Sequence, residues 1–152
     1  MDVEARLAEM GLALPEPAAP LAAYVPFVLG GDLLHVSGQI ARGPEGVIRG
    51  TLGLDMEAEA GAEAAQTCAL VLLAQVKAAC GGDFRALARV VKLTGFVASS
   101  AGFFDQPRVV NGASELMVAA LGEAGRHARS AVGVAALPLG AAVEVEGVFL
   151  LR

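Results

Sequence analysis

Charge is what this chain has least of. Asp, Glu, Lys and Arg make up 18% of its 152 residues, against roughly a quarter in an average soluble chain. Hydrophobic residues reach 55%, more than one small core needs, so part of the excess is expected in a homo-oligomer interface. The 11 basic residues are outnumbered by 16 acidic ones, for a net charge of -5. They are scattered along the chain, with Arg126 and Arg129 lying close together, which argues against a nucleic-acid surface. Two cysteines and two histidines at unrelated spacings make no metal site. Cys68 and Cys80 fall on one predicted helix, pointing about 120° apart, and are expected as free thiols. Long apolar runs are missing: residues 68–74 are the longest useful one, far short of the ~20 a membrane span needs. The first residues, MDVEARLAEMG, lack the apolar core of a signal peptide, so a cytoplasmic location is expected. No nucleophile elbow, phosphate loop or zinc spacing is present.

The length fits one domain, residues 1–152, with 1–20 as a leading extension. Residues 3–10 read as a short helix, and 12–20, with three prolines, as an irregular connector. Residues 24–29 and 33–40 read as strands joined by a turn at Gly30-Gly31-Asp32. Residues 43–53 are glycine-rich and loop-like, with room for a short pairing at Val47-Ile48. Residues 58–79 are dense in alanine and leucine and form the clearest helix. Gly81-Gly82 ends it, and Asp83 is placed to cap a short helical turn. Residues 90–98 are rich in β-branched residues and read as a strand. Asp105 and Pro107 mark the start of a second long helix over 106–123. Residues 128–135 and 142–150 read as closing strands, joined by a turn at LPLG, 137–140. The order ββαβαββ after a short helix predicts a two-layer α+β fold, a mixed sheet with two long helices on one face. Its uncovered face points again to an oligomer.

Chemistry must then reside in polar residues on apolar strands. Arg129 presents a permanently charged fork suited to a carboxylate; it is either an anion clamp or half of a structural ion pair. Alternation puts Glu144 and Glu146 on one strand face, either a solvated face or the position of an acid that orients water. In a plain hairpin about Pro138-Leu139, Glu144 lies opposite Gly133, and Arg129 is then on the order of 13 Å away. The two would flank a small ligand rather than pair. Gly38, in HVSGQI, permits close approach to the backbone or marks a β-bulge. Tyr24 is the single tyrosine and offers a hydroxyl. Asn111 stands inside a helix, where an amide is unhelpful unless exposed or functional. His35 and His127 read as a strand-face and a loop residue rather than catalysts.

ARSAVGVAALPLGAAVEVE, residues 128–146, together with HVSGQI, resembles the Rid family of reactive intermediate deaminases. These proteins are also called YjgF-type or endoribonuclease L-PSP proteins. The resemblance covers about residues 24–152, and the leading segment is similar to that of a longer-chain branch. It implies a chorismate-mutase-like fold and a homotrimer with ligands in inter-subunit clefts. No cofactor is expected, because an imine is already electrophilic, and the charge and the short apolar runs leave no nucleic-acid or membrane partner expected. The implied activity is hydrolytic deamination of small enamine or imine carboxylates, such as 2-aminoacrylate, to a 2-oxo acid and ammonia. Arg129 matches the arginine that binds the substrate carboxylate, and Glu144 the acid that positions water. Ser37, Gly38 and Gln39 match a strand lining the pocket, Tyr24 a pocket tyrosine, and Asn111 a residue lent by a neighbouring subunit's helix. Ala131 stands where the deaminase branch often has a cysteine. Val25 replaces a small polar residue, and the Asn111 helix aligns only with a one-residue insertion. Two other readings stand beside the deaminase: a non-catalytic module binding a carboxylate metabolite, and an endoribonuclease, which the charge and the single tyrosine weigh against.

Overall fold

The structure, a computed structural model, describes residues 2–17, 19 and 23–152. Its organising element is α2 (Ala58–Ala79), whose Leu72, Leu73 and Val76 are fully buried. The second long helix, α3 (Gln106–Leu121), packs beside it. Gly112 of α3 lies on the Ala62 carbonyl of α2, so a β-carbon there would run into backbone. Close approach of the helices therefore depends on that glycine. A short helix, α1 (Val3–Glu9), buries Val3 and Leu7, and the Asp2 side chain caps it by accepting from the Ala5 amide at 3.0 Å.

The helices cover one face of a five-stranded sheet. Its strands are β1 (Phe27–Gly30), β2 (Leu33–Ile40), β5 (Leu87–Ala98), β6 (Ala128–Val134) and β7 (Val143–Leu151). A two-residue ribbon, β3 (Arg42–Gly43) with β4 (Gly46–Val47), lies outside it. The sheet order is β1-β2-β7-β5-β6, with β5 and β6 parallel and the other pairs antiparallel. On β7, Val143, Val145 and Phe149 are buried while Glu144 and Glu146 face away from the helices, as alternation predicts. The α+β class, the mixed sheet, both long helices on one face and the short leading helix all match the sequence reading.

Several local expectations are corrected. The closing strands are not a hairpin: β5 lies between β6 and β7. The LPLG segment is a 3-10 turn (Pro138–Gly140) with Leu139 at φ 58°, carrying the chain past the end of β5. The first strand begins at Phe27 rather than Tyr24, and the short pairing is shifted by one residue, to Gly46–Val47. Asp83 binds the Arg85 amide at 2.8 Å, but turns and bends rather than a helix follow. Asp105 makes no side-chain cap, and α3 stops at Leu121, where a 3-10 turn (Gly122–Gly125) takes over. Part of the predicted connector, residues 18 and 20, lies outside the described residues.

Candidate functional site

Two groups of polar residues stand out, on opposite faces of the sheet. The first is built on β6, the strand at one edge. Arg129 is paired with Leu93 of β5, whose side chain is fully buried under the helices. Partners in adjacent strands share a face, so Arg129 also points toward the helix layer, at its margin. There its Nη1 donates to Asn111 Oδ1 at 2.8 Å and to Ser114 Oγ at 3.2 Å. Asn111 and Ser114 are three residues apart on α3 and share one side of it. Ser114 Oγ is 2.9 Å from His127 Nε2, and His127 Nδ1 is 2.6 Å from the Gly125 carbonyl. The carbonyl can only accept, so Nδ1 carries the proton and Nε2 accepts from the serine hydroxyl. That leaves a serine lone pair for Arg129. Burial lowers the His127 pKa; the Gly125 carbonyl opposes this, and the Arg129 charge adds to it.

Among the described residues, Arg129 has no carboxylate partner. The structural ion pair that the sequence left open is therefore absent there. A guanidinium held by neutral acceptors keeps its charge available to an external anion.

The second group surrounds Glu144 on β7. The β2–β7 register shifts between Val36 and Gln39, so Ser37 and Gly38 form a bulge in β2. A β-carbon built on Gly38 meets the Glu144 carboxylate, with Glu144 Cδ at 3.0 Å and Cγ at 3.2 Å. Gly38 sits in a bulge, and its lack of a side chain lets the Glu144 carboxylate lie against the backbone. Gln39 Nε2 donates to the Ser37 carbonyl at 2.8 Å, while Ser37 Oγ donates to the Val25 carbonyl at 2.8 Å. The first bond braces the bulge itself, and the second ties it to the stretch just before β1. Glu144 is half-buried, and burial, reinforced by the neighbouring Glu146 charge, raises its pKa.

β1 pairs only with Leu33–Val36 of β2. Beyond it, the outer side of Gly38–Ile40 borders a cavity of about 960 Å³. Among the described residues its walls come from the leading segment (Leu12, Pro15), from Tyr24 before β1, from α2 (Thr67, Leu70, Val71), from Pro138 and Leu139, and from Glu144.

The structure thus gathers Tyr24, Gly38, Gln39 and Glu144 around one cavity, with Ser37 behind them. It gathers Asn111 and Arg129 elsewhere, with Ala131 two residues along the same face of β6, packed against the core. The hairpin estimate placing Arg129 and Glu144 about one ligand apart fails. Glu144 pairs with Phe96, which pairs with Val132, so the two residues are two strands and three positions apart. That is about 10 Å in each direction, and their side chains leave opposite faces. Asn111 is held by Arg129 of its own chain. His35 pairs with Val28 and Val148 and joins neither group. The sequence reading missed Ser114, although its spacing from Asn111 could have suggested it, and missed the contribution of His127. No group of three His, Cys, Asp or Glu among the described residues could hold a metal ion. No helix there is long and apolar enough to cross a membrane.

A sheet of this order backed by two helices on one face defines a fold class that comparison with known proteins identifies. Residues 4–149 match the YjgF/chorismate mutase-like, putative endoribonuclease family, and the chain belongs to it. Protein TCP17 of Trypanosoma cruzi is 48% identical, over 99% of this chain and 94% of its own. The crystal structure of protein Atu1372 from Agrobacterium tumefaciens, of unknown function, is 46% identical and superposes with a TM-score of 0.93, covering 99% of this chain and 92% of that one. RidA from the Antarctic bacterium Psychrobacter sp. PAMC 21119 is 29% identical with a TM-score of 0.57, covering 89% and 93%. The Rid-type resemblance of the carboxyl-terminal motif is in keeping with these relatives.

Proposed function

We propose that this protein hydrolyses small enamine or imine carboxylates to a 2-oxo acid and ammonia, at a site assembled from two copies of the chain. The observation that carries the reading is the state of the two charged groups. Arg129 is positioned by neutral partners and lacks a counter-ion among the described residues, while Glu144 is half-buried with a raised pKa beside a cavity. The pair offers a carboxylate clamp and an acid–base group, which is what hydrolysis of an already electrophilic imine requires.

Within one chain the pair cannot serve one small ligand, because the side chains leave opposite faces. A second copy whose β6 edge approached the Glu144 cavity would bring them together. The open face supports association: Val132 is 43% exposed and Val28 56% exposed beside half-buried Phe96, Val148 and Leu150. A homotrimer closes such a head-to-tail contact into a ring with three equivalent sites.

Chemically, water attacks the imine carbon and the carbon–nitrogen π electrons move to nitrogen. Glu144 takes a proton from the water and gives it to the imine nitrogen, forming the carbinolamine. It then takes the hydroxyl proton and gives it to the amine; the oxygen electrons form the carbonyl, the carbon–nitrogen bond breaks and ammonia leaves. A pKa raised by burial makes Glu144 a better proton acceptor than an ordinary carboxylate. Arg129 holds the carboxylate throughout.

The test is turnover of 2-iminopropionate against the buffer reaction. Arg129→Ala is expected to reduce it to the buffer rate, and a wild-type rate no faster than buffer would sink the reading. Binding of a 2-oxo acid without turnover would instead make the protein a carboxylate-binding module. RNA cleavage surviving Arg129→Ala in a nuclease-free preparation would favour an endoribonuclease.

A further inference from the structure

From the cavity beside Glu144 we infer that this protein's substrates carry a bulky apolar side chain; this rests on the deaminase reading above. A cavity of about 960 Å³ lies at the upper end of those that enclose whole drug-sized ligands. The smallest imino acids would leave most of it to water. Its walls are chiefly apolar. Leu70 and Val71 come from α2, Leu12 and Pro15 from the leading segment, and Pro138 and Leu139 from the turn before β7. The carboxyl-terminal motif that carries the resemblance supplies only the last two and Glu144. The leading segment therefore adds a wall to the site, and this assigns it a role in specificity.

The segment is anchored for that role. α1 buries Val3 and Leu7, Arg6 Nη1 donates to the Ala120 carbonyl at 3.3 Å, and Lys77 binds Glu4 at 2.8 Å. The stretch before β1, which adds Tyr24 to the lining, is held where the Ser37 amide donates to the Pro26 carbonyl at 2.9 Å and Ser37 Oγ to the Val25 carbonyl. The charged groups on the lining are Glu16, Arg42 and Glu144. Glu144 lies at the reacting end, and two opposite charges elsewhere leave the apolar walls to choose the side chain. Each buried methylene is worth roughly fourfold in binding.

The experiment compares imines generated in situ from alanine, leucine, phenylalanine and glutamate by amino-acid oxidases of matching specificity, with catalase present and residual imine trapped by semicarbazide. The leucine- and phenylalanine-derived imines are expected to show kcat/KM at least tenfold above the alanine-derived one. Leu70→Phe, which narrows the cavity, is expected to erase that preference by lowering kcat/KM for the leucine- and phenylalanine-derived imines at least tenfold relative to the alanine-derived one. Ala13→Trp, on the exposed leading segment, is expected to do the same without touching the core. Equal rates on all imines, or variants that slow every imine alike, overturn the inference. Preference for the glutamate-derived imine also overturns it and would point to Arg42. If no imine is turned over, the deaminase reading fails and the cavity is tested by calorimetry. 4-Methyl-2-oxopentanoate should then bind at least tenfold more tightly than pyruvate, and equal affinity overturns the inference.

Discussion

Gly38→Ala separates the position of the Glu144 carboxylate from its chemical presence. The three atoms closest to a β-carbon at this position all belong to the Glu144 side chain, and no backbone atom is among them. Gly38 is not among the positive-φ glycines, so the substitution adds no backbone strain. The carboxylate must swing away, at a cost near the low end for overpacking, about 1 kcal/mol. Loss of a positioned acid–base group lowers a rate by about 10²–10⁴, a barrier increase of about 2.7–5.5 kcal/mol. The expected result is a folded protein that has lost almost all imine hydrolysis, read by the trapping assay beside a thermal melt. Adding Gly38→Ala to Glu144→Gln should lower the activity no further, because both changes remove one group. Activity within about threefold of wild type for Gly38→Ala would refute the role given to Glu144.

Other expectations follow from the same geometry. Glu144 has a raised folded-state pKa, so the native state binds more protons than the unfolded chain, and its stabilising effect is lost as pH rises from the ordinary 4.5 through the folded value. Glu144→Gln should accordingly raise the melting temperature at pH 7.5 while abolishing turnover; a lower one would contradict the assigned burial. His127 is shifted down, so the unfolded chain binds more protons as pH falls below the ordinary 6.5, and stability should fall with it. Protonation at Nε2 also removes the acceptor for Ser114 and puts a second charge beside Arg129. The added positive charge strengthens the pull on a carboxylate, so KM should fall toward acid pH, and His127→Gln should abolish that fall. Gly112→Ala drives a methyl into the Ala62 backbone. It should cost about 3 kcal/mol, or about 6–12 °C in melting temperature at this size, measured by calorimetry.

The sequence was most legible where one signal acted locally. α2 and β2 begin and end where they were placed, because Gly81-Gly82 stops the one and the Gly30-Gly31-Asp32 turn opens the other. The alternation separating Val143 and Val145 from Glu144 needs nothing beyond the period of a strand. What failed was non-local. LPLG looks like a hairpin turn, and no local signal shows that β5 slides between β6 and β7. A clue was present, since strand, long helix and strand in succession favour parallel neighbours, as β5 and β6 are. That rule would have sent Arg129 and Glu144 to separate places. The roles of Ser114 and His127 were invisible for a related reason. A serine inside a helix and a histidine after it become partners only when α3 is laid over β6. The cavity walls from the leading segment likewise depend on where α1 docks, which residues 1–20 do not state.

The central claim is that Arg129 of one copy works with Glu144 of another. The direct measurement mixes two inactive proteins, Arg129→Ala and Glu144→Gln, by co-expression or joint refolding at equal amounts. In a closed head-to-tail ring with random mixing, one junction in four places an intact Arg129 next to an intact Glu144. Activity of the whole mixture is expected to return to about one quarter of the wild-type value, and that of purified trimers shown by mass spectrometry to contain both variants to about one third. Mixed assemblies that stay at the buffer rate would contradict the account and place both residues' work within a single chain.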